Sequence, residues 1–600
     1  MPRNIILWTF VVLTFVGGAL AGQRLLAQSA YDLPNDDANC PANCRQVPWK
    51  TGSDLWNGGT LPNYTQVTCT GLAGNGSTDD GPAIQACINA ASANTAVYVP
   101  AGVYLVNTNL TLKSNVALRG AKPSAPPFLP AADPAATTFK LGTNGGVTMY
   151  KGDSTGSNVA ISSGYTKGSA SIAMASGTWA VGSWIIASEN PDTTIPVTNL
   201  GDDGNCTWCG ENDGVHLMAQ IVQITAVNGT TLSLSRPLYY TFQSSLSPVA
   251  RTLAMGITKA GLENVRLDGS SSDHGAFIYM DGALFCWVKG VETYDAGSAA
   301  KASHIQSVWS YGSEIRDNYF HFGRDSSSDH NYGIAFLFIN SDHKVENNIL
   351  RNHRHSTDME GGGSGIAVLY NYIDDDYTDD LTYLGSARAN HGAHPYMNLY
   401  EGNIYSHIVA DSYWGSSSHN VFFRNWLWGD ETQASDVPQK PQSYGAIPLE
   451  VWYNQNYYSF VGNVLGIAGK WLNPAWSSYT LRSSSCSSPI SIYSYGCNSN
   501  GQYSSLTNTS SINHGNWDIK TNGVAYWEGG SNHTLKNSMY YSSRPAFFGS
   551  CTWPAFGPDL SPTTNTLPAK ARFDGSTSCG SGGTTSGTPA PPTNLTTSVH

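Results

Sequence analysis

An asparagine followed by an apolar or aromatic residue recurs through the middle of this 600-residue chain, and this repeat constrains the fold more than any other feature. Its copies lie 22 to 38 residues apart. They are Asn264-Val265, the degenerate Gly290-Val291, Asn318-Tyr319, Asn348-Ile349, Asn371-Tyr372, Asn403-Ile404, Asn425-Trp426 and Asn463-Val464.

A repeat of about 22 residues is long enough for three short strands and three turns, at ~3.3 Å per residue. Coils of this size stacked ~4.8 Å apart pair each strand with its equivalent one coil away. An asparagine at a turn tolerates left-handed geometry and can bond to its equivalent in the next coil. We therefore predict an all-β fold, a single-stranded parallel β-helix with long loop insertions. A β-sandwich is the alternative, but its strands recur every ~8–12 residues without such a ladder.

The composition suits extended structure and excludes two kinds of partner. Charged residues make up 12% of the chain, and 31 basic against 43 acidic residues give a formal net charge of −12. Nucleic-acid and anionic-membrane surfaces require clustered positive charge, so we expect neither partner.

The N-terminus has the features of an export signal. Arg3 precedes the apolar run 5–16, and Ala19-Leu20-Ala21 forms a small-x-small cleavage site. We therefore expect a secreted protein, extracellular or periplasmic, with no membrane partner after signal cleavage. The expected divisions are a signal peptide and spacer (1–30), an irregular N-terminal segment (31–68), the β-helix (69–573) with an inserted loop region (466–525), and a Gly/Ser/Thr/Pro-rich linker or tail (574–600).

The eleven cysteines agree with export, because disulfides persist in oxidising compartments. The close pairs Cys40/Cys44, Cys206/Cys209 and Cys486/Cys497 are predicted to staple loops, although the sequence does not fix the pairing. Cys206-Thr207-Trp208-Cys209 also has the spacing of a redox or metal half-site, but it lies in a Gly/Asp-rich loop without a second such motif. Since the count is odd, we predict that Cys286, within an apolar run, is unpaired and buried.

A second segment upstream of the repeat supports the same fold. The stretch 74–80 contains a glycine turn and two aspartates, the stretch 83–91 has helical periodicity, and Val97-Tyr98-Val99 begins a strand. This order closely resembles the opening of the pectate-lyase superfamily domain, the pectin-lyase-like right-handed parallel β-helix of secreted, bacterial-type proteins. The resemblance extends over about residues 70–545. It implies an N-terminal helix that caps the solenoid and structural roles for Asp79 and Asp80.

The resemblance is specific for the fold and not for the chemistry. Members of the superfamily include polygalacturonase-like hydrolases, exo-β-1,3-glucanases and phage tailspike depolymerases. The polygalacturonase signatures Asn-Thr-Asp, Asp-Asp and Gly-His-Gly have no in-order match in this chain. Galacturonan hydrolysis is therefore not expected, and the site has to be argued from geometry.

Residues suited to glycan cleavage gather around the central repeats. Glycoside hydrolysis needs two carboxyl groups, ~5–5.5 Å apart for retention or ~6.5–9.5 Å for inversion, and neighbouring coils supply such distances. Equal offsets from the repeat asparagine predict that His355, Asp379 and Asp411 form a row on consecutive coils. The predicted catalytic residues are Asp411, Glu360, Asp358, Asp325, His355 and His394. The predicted substrate-binding residues are Arg324, Arg354, His353, His391, Trp414, Trp428 and Tyr396.

Aromatic residues in and after this region are typical of a sugar-binding surface, because sugar rings pack their C–H faces on aromatic rings. They are Trp414, Trp426, Trp428, Trp452, Tyr453, Tyr457, Tyr458, Trp471 and Trp476. Strand alternation directs about half of such residues into the core, so the set is predicted only as a group.

Three functional hypotheses follow, all with a polysaccharide as the partner. The first is a glycoside hydrolase acting on a neutral or weakly acidic glycan. The second is a lyase of uronate glycans assisted by Ca²⁺, which Asp374-Asp375-Asp376 with Asp379-Asp380 could bind and in which Arg324 or Arg354 would take the proton. The third is a non-catalytic carbohydrate-binding solenoid. A zinc site is not favoured, because the histidines lack a recognised ligand spacing.

Overall fold

The computed structural model describes most of the chain downstream of the predicted signal segment. The described residues are 33, 45–123, 134–150, 155–192, 200–201, 204–211, 214–297, 302–327, 329–376, 378, 385, 387–429, 447–467, 479–486, 491–576 and 579. The predictions for residues 1–30, Cys40, Cys44, Asp379, Asp380, Trp471, Trp476 and most of 574–600 therefore fall outside them.

Three long sheets stack along the chain and confirm the right-handed parallel β-helix. The twelve strands of sheet A are Thr65–Thr68, Thr95–Val99, Val116–Gly120, Gly261–Glu263, Trp287–Lys289, Glu314–Arg316, Lys344–Glu346, Ala367–Leu369, Leu399–Glu401, Val421–Phe423, Ser459–Val461 and Ile512–His514. The thirteen strands of sheet B are Asn75–Asp79, Gly102–Val106, Thr137–Leu141, Arg266–Asp268, Glu292–Ala296, Tyr319–Gly323, Ile349–Arg351, Tyr372–Asp374, Ile404–Tyr405, Trp426–Leu427, Val464–Leu465, Trp517–Asp518 and Gly523–Val524. The eleven strands of sheet C are Asn109–Thr111, Gly146–Tyr150, Ala276–Asp281, Ser303–Val308, Tyr332–Leu337, His355–Glu360, Ala387–Gly392, Ile408–Trp414, Leu449–Val451, Ser491–Tyr495 and Thr480–Arg482.

A closed antiparallel barrel interrupts the winding between the sheet C strand Gly146–Tyr150 and the sheet A strand Gly261–Glu263. The barrel strands are Val159–Ser163, Ser171–Met174, Trp184–Glu189, Met218–Asn228, Thr231–Leu234 and Val249–Leu253. It packs against the turns that follow sheet C, where the Trp184 ring lies 4.5 Å from that of Tyr311. The sequence prediction did not foresee this barrel, since an insertion carries no copy of the repeat.

The remaining elements are short. Three two-stranded pairs are Leu200–Gly201 with Gly204–Asn205, Ile257–Thr258 with Ala283–Leu284, and Asn340–Ser341 with Gly363–Ser364. The α-helices are Gly52–Trp56, Gly81–Ala90, Ser505–Ser510 and Pro568–Phe573, and the 3₁₀ turns are Ser244–Leu246 and Ala546–Phe548. Among the described residues no helix is both long and apolar enough to cross a membrane.

The predicted capping helix is present as Gly81–Ala90. Ile84 and Ile88 are fully buried in the main core, so the helix covers the first coil. Asp80 precedes the helix, but its carboxylate accepts hydrogen bonds from the Ala73 and Gly74 amides, while Asp79 accepts one from the Gly81 amide. Both aspartates thus fix the local turn.

The asparagine ladder runs unbroken through the solenoid interior. From Asn318 to Asn516, each Nδ2 donates to the Oδ1 of the next asparagine at 2.9–3.0 Å, through Asn348, Asn371, Asn403, Asn425 and Asn463. Two predicted members were wrong, because the register pairs Val265 and Val291, not Asn264 and Gly290, with the position of Asn318. Asn264 and Gly290 belong to the preceding column, where φ is positive in successive coils, and Asn516 was missed.

Four disulfides join Cys69 to Cys87, Cys206 to Cys209, Cys486 to Cys497 and Cys551 to Cys579. The loop staples predicted at 206/209 and 486/497 are confirmed. Cys286 is the free cysteine of the described residues and is buried, as predicted.

Segments from both halves of the chain cover the outer face of sheet A. Sheet A carries buried outer carboxylates, and later segments cover them: the Met539 amide donates to Glu401 and the Tyr541 hydroxyl to Glu346. On the N-terminal side, the Ser53 amide donates to Glu314 at 2.7 Å. These contacts give the charged residues of sheet A structural partners.

Candidate active site

Sheet C has an apolar inner face and a mixed outer face, because its strands alternate side chains. Met280, Ile305, Phe336 and Met359 point into the core. Asp358 and Glu360 flank Met359 on the strand His355–Glu360 and therefore share the outer face. Being two residues apart, their Cα atoms are separated by about 6.6 Å.

The next two coils add the partners of these carboxylates. Arg388 pairs with Asp358 across the ladder, and its guanidinium lies 3.4 Å from both the Asp358 and the Asp411 carboxylates. His391 places Nδ1 2.9 Å from Asp411 Oδ2 and Nε2 4.0 Å from Glu360 Oε1. Three carboxylates thus surround one guanidinium and one imidazole. We call these five residues the acidic cluster.

Asp411 is held firmly at the centre of the acidic cluster. Its carbonyl accepts hydrogen bonds from the side-chain amides of Asn390 and Gln455, and its carboxylate accepts one from the Tyr413 amide. Burial alone would raise the pKa of Asp411, but the charge and hydrogen bond of His391 and the charge of Arg388 outweigh it and hold that pKa below its ordinary value. Asp411 is therefore ionised at neutral pH.

The acidic cluster is recessed. Asp358 is fully buried, and Glu360, Asp411 and His391 are only 4–6% exposed. Carboxyl groups buried to this degree act in a low local dielectric, where proton transfer and charge pairing count for more than in water.

Aromatic rings from two parts of the fold form a wall beside the acidic cluster. Tyr413 is 37% exposed and stacks on His391 at 5.6 Å, with Trp414 next to it at 5.3 Å. The barrel insertion contributes Trp208, whose ring meets Trp414 edge-on at 6.0 Å. The Cys206–Cys209 disulfide fixes the loop that carries Trp208.

Glycine at position 392 is required for this approach. A Cβ there would lie 2.8 Å from the Cys209 sulfur and 3.3 Å from the Trp208 ring. The barrel loop therefore packs directly on the strand that carries Arg388 and His391.

Five of the thirteen predicted site residues meet in this region: Asp358, Glu360, His391, Asp411 and Trp414. Five others are buried elsewhere, away from the acidic cluster. The side chain of His394 is hydrogen-bonded to Ser416 and Ser418, and that of His353 to Asn331 and the Phe320 carbonyl. The Tyr396 hydroxyl donates to the Ala219 carbonyl. Trp428 packs in a core cluster, and His355 stacks on Tyr332. Burial lowers the pKa of both His353 and His394 to about 3, so each is neutral.

The other three predicted residues lie in and beside residues 324–327, outside the acidic cluster. Arg324 pairs with Asp273 and Asp295, Asp325 binds the Ser327 amide and approaches His330 at 3.7 Å, and Arg354 donates to Ser326 O. The predicted row of His355 with Asp411 does not form. Asp358 pairs with Arg388 on the next strand, and Arg388 pairs with Val409 on the strand after it. These partners stand at different offsets from the repeat asparagine of their own coils, so equal offsets do not identify neighbours.

The described part of the acidic turn does not converge on one point. Asp374 accepts from Tyr372, Asp375 pairs with Arg351, and Asp376 accepts from Ser356. Burial raises the pKa of Asp376 to about 8. Among the described residues no three potential ligands group as a metal site.

Arg388, Tyr413 and Trp208 were missed. Arg388 and Asn390 alternate with the core alanines Ala387 and Ala389, a pattern that marks a strand with a polar outer face. That signal was available in the sequence. Trp208 was not recognisable, because only the three-dimensional packing of the barrel brings it to the acidic cluster.

Residues 64–188 match the family model described as rhamnogalacturonase A/epimerase, pectate lyase-like. The match covers about a fifth of the chain and includes the capping helix and the first coils. No curated protein matches the chain.

Several solved structures are similar over part of their length. Tailspike gp49 of Pseudomonas phage LKA1 has 13% identity and a TM-score of 0.46 over 66% of this chain and 64% of that one. Tailspike gp61 of Pseudomonas phage phi297 has 12% identity and a TM-score of 0.45 with the same coverage. The Acinetobacter baumannii phage AP22 tailspike gp54, solved with a capsular saccharide, has 12% identity and a TM-score of 0.38 over 65% of this chain and 56% of that one.

The chain thus spans less than two thirds of the length of these tailspikes. The three stacked sheets and the matched opening segment show that the fold is a pectate-lyase-like parallel β-helix.

Proposed function

We propose that the chain is a secreted polysaccharide-cleaving enzyme, and specifically a glycoside hydrolase whose active site is the acidic cluster on the outer face of sheet C. The observation that carries the proposal is the contact of Asp411 and Glu360 with opposite nitrogens of the His391 ring. The four disulfides favour an oxidising compartment and hence export.

The two carboxylates suit different roles. Asp411 is kept ionised by His391 and Arg388, so it is the base that activates water. We assign Glu360, whose Oε1 lies 4.0 Å from Nε2 on the far side of the His391 ring, as the acid that protonates the leaving oxygen. The Glu360 and Asp411 carboxylates lie on opposite sides of the His391 ring. The distance across that ring is of the order of the ~6.5–9.5 Å between the two carboxyl groups of inverting enzymes. Arg388, which also contacts Asp358, orients Asp411 from the neighbouring strand.

The surroundings favour a neutral glycan. Tyr413 and Trp414 offer aromatic faces for sugar rings. The acidic cluster has three carboxylates for one arginine, and that arginine already contacts two of them. A polyanionic chain would meet repulsion there.

A lyase is the second candidate, because His391 together with Asp411 could act as the base of an elimination reaction. His391 oriented by ionised Asp411 could abstract a proton, with Arg388 beside it to neutralise a uronate carboxylate. This reading needs Arg388 to leave one of its present carboxylate partners.

One screen separates the candidates. The secreted protein is incubated with galactomannan, arabinoxylan, laminarin, polygalacturonate and alginate, and new reducing ends and ultraviolet absorbance are read together. Hydrolysis gives reducing ends without absorbance. Absorbance from unsaturated ends on a uronate polymer would show a lyase. Binding to a polymer without new ends would show a carbohydrate-binding solenoid.

A further inference from the structure

Two tyrosines on the outer face of sheet C are unusually exposed. Among the large hydrophobic side chains exposed in the described part, the aromatic ones are Tyr150, 41% exposed, and Tyr413, 37% exposed. Tyr413 belongs to the wall beside the acidic cluster. Tyr150 lies at the opposite, N-terminal part of the same sheet.

The register fixes how far Tyr150 lies from Glu360. One column of ladder partners runs from Tyr150 through Asp281, Val308 and Leu337 to Glu360. Four steps between strands amount to about 19 Å along the axis. Because both residues occupy one column, a chain lying along the solenoid axis would meet both.

Tyr150 is part of a small built surface. Its ring lies 6.3 Å from that of Tyr279 on the next strand. The Tyr279 hydroxyl donates to Asp281 Oδ2 at 2.9 Å, which fixes the ring, and Asp281 is nearly buried. Two tilted rings, one of them held in place by the Asp281 carboxylate, provide stacking faces for sugar rings.

The floor between the two regions is uncharged. The outer positions of the two intervening strands are Gln306, Val308, Ala335 and Leu337. The first cation along these columns is Arg388, within the acidic cluster. Nothing in this floor would attract a polyanion.

We propose that Tyr150, Tyr279 and Asp281 form a distal subsite for a neutral glycan, about 19 Å from the acidic residues that cleave it. The inference rests on the proposed function for its catalytic end, but the subsite itself is a binding surface. It makes the enzyme favour a long polymer over fragments too short to reach Tyr150.

The test measures binding and cleavage separately. Tyr150→Ala/Tyr279→Ala is compared with wild type, with Asp411→Asn, and with Tyr98→Ala, a partly exposed tyrosine on sheet A. Binding is read by affinity electrophoresis in gels containing galactomannan, arabinoxylan, laminarin or polygalacturonate. Thermal unfolding checks that each variant is folded.

We expect a neutral gel to retard wild type and Tyr98→Ala equally, and the double variant about 3- to 10-fold less. KM on that polymer should rise by the same factor with kcat unchanged, and short fragments of it should be cleaved equally by both proteins. Equal retardation of the double variant and wild type, retardation by polygalacturonate alone, or none at all would overturn the subsite. If retardation depends on the tyrosines but no glycan is cleaved, only the proposed function fails.

Discussion

The asparagine ladder gives the sharpest test of what holds the solenoid together, and Asn371→Ala is the perturbation. The Asn371 side chain is fully buried and makes four hydrogen bonds. Nδ2 donates to Asn403 Oδ1 at 2.9 Å and to Val345 O at 3.0 Å, and Oδ1 accepts from both the backbone N and Nδ2 of Asn348 at 2.9 Å. Alanine removes all four and leaves polar groups in the core without these partners.

A buried hydrogen bond is worth about 0.5–1.5 kcal/mol net, so four of them amount to about 2–6 kcal/mol of the free energy of unfolding. The loss should be transmitted along the stack, because each coil is stabilised by its neighbours. Guanidinium unfolding followed by tryptophan fluorescence measures it. The matched control is Asn89→Ala on the exposed side of the capping helix, expected to change stability by no more than about 0.5 kcal/mol. Equal unfolding midpoints for the two variants would refute the structural role of the ladder.

Three further predictions concern acid stability, the barrel loop and the acidic cluster. Burial lowers the pKa of His353, His394 and His407 to about 3, whereas a histidine in the unfolded chain titrates near ~6.5. Their contribution to the free energy of unfolding is therefore complete above pH ~6.5 and falls as the pH drops from there toward 3. Thermal unfolding measured against pH should show this fall, and a flat profile would contradict it. Trp208→Ala should raise KM about 3- to 10-fold with kcat and the unfolding temperature unchanged, because it removes one ring of the aromatic wall; unaltered kinetics would exclude the barrel loop from binding. Arg388→Gln removes a cation that lowers the pKa of Asp411, so the acid limb of the pH–rate profile should move to higher pH; an unmoved limb would separate Asp411 from the observed ionisation.

The winding was predictable because its signal is local and repeated. Six successive coils carry an asparagine whose amide reaches the next coil, so Asn318, Asn348, Asn371, Asn403, Asn425 and Asn463 mark these coils in the sequence itself. The register of the first copies was harder to predict, because an asparagine also suits the preceding column of left-handed residues, and Asn264 lies in that column.

The candidate site was only half predictable, for a physical reason. Strand alternation places Asp358, Glu360 and Asp411 outside, but loops of unequal length separate the coils, so equal offsets do not identify neighbours such as Arg388. Histidines were the poorest guide. Of the four histidines predicted for the site, His353, His355 and His394 are buried polar members of the stack, and His391 alone reaches the carboxylates on the outer face of sheet C.

Release of reducing ends by Asp411→Asn and Glu360→Gln tests the central claim most directly. On a neutral polysaccharide that the wild-type protein cleaves, each variant should lose about 100-fold or more of kcat, the contribution typical of a general acid or base. The control is Asp273→Asn, an exposed carboxylate outside the acidic cluster, which should keep wild-type activity. Full activity in both Asp411→Asn and Glu360→Gln would contradict the assignment of the acidic cluster as the active site.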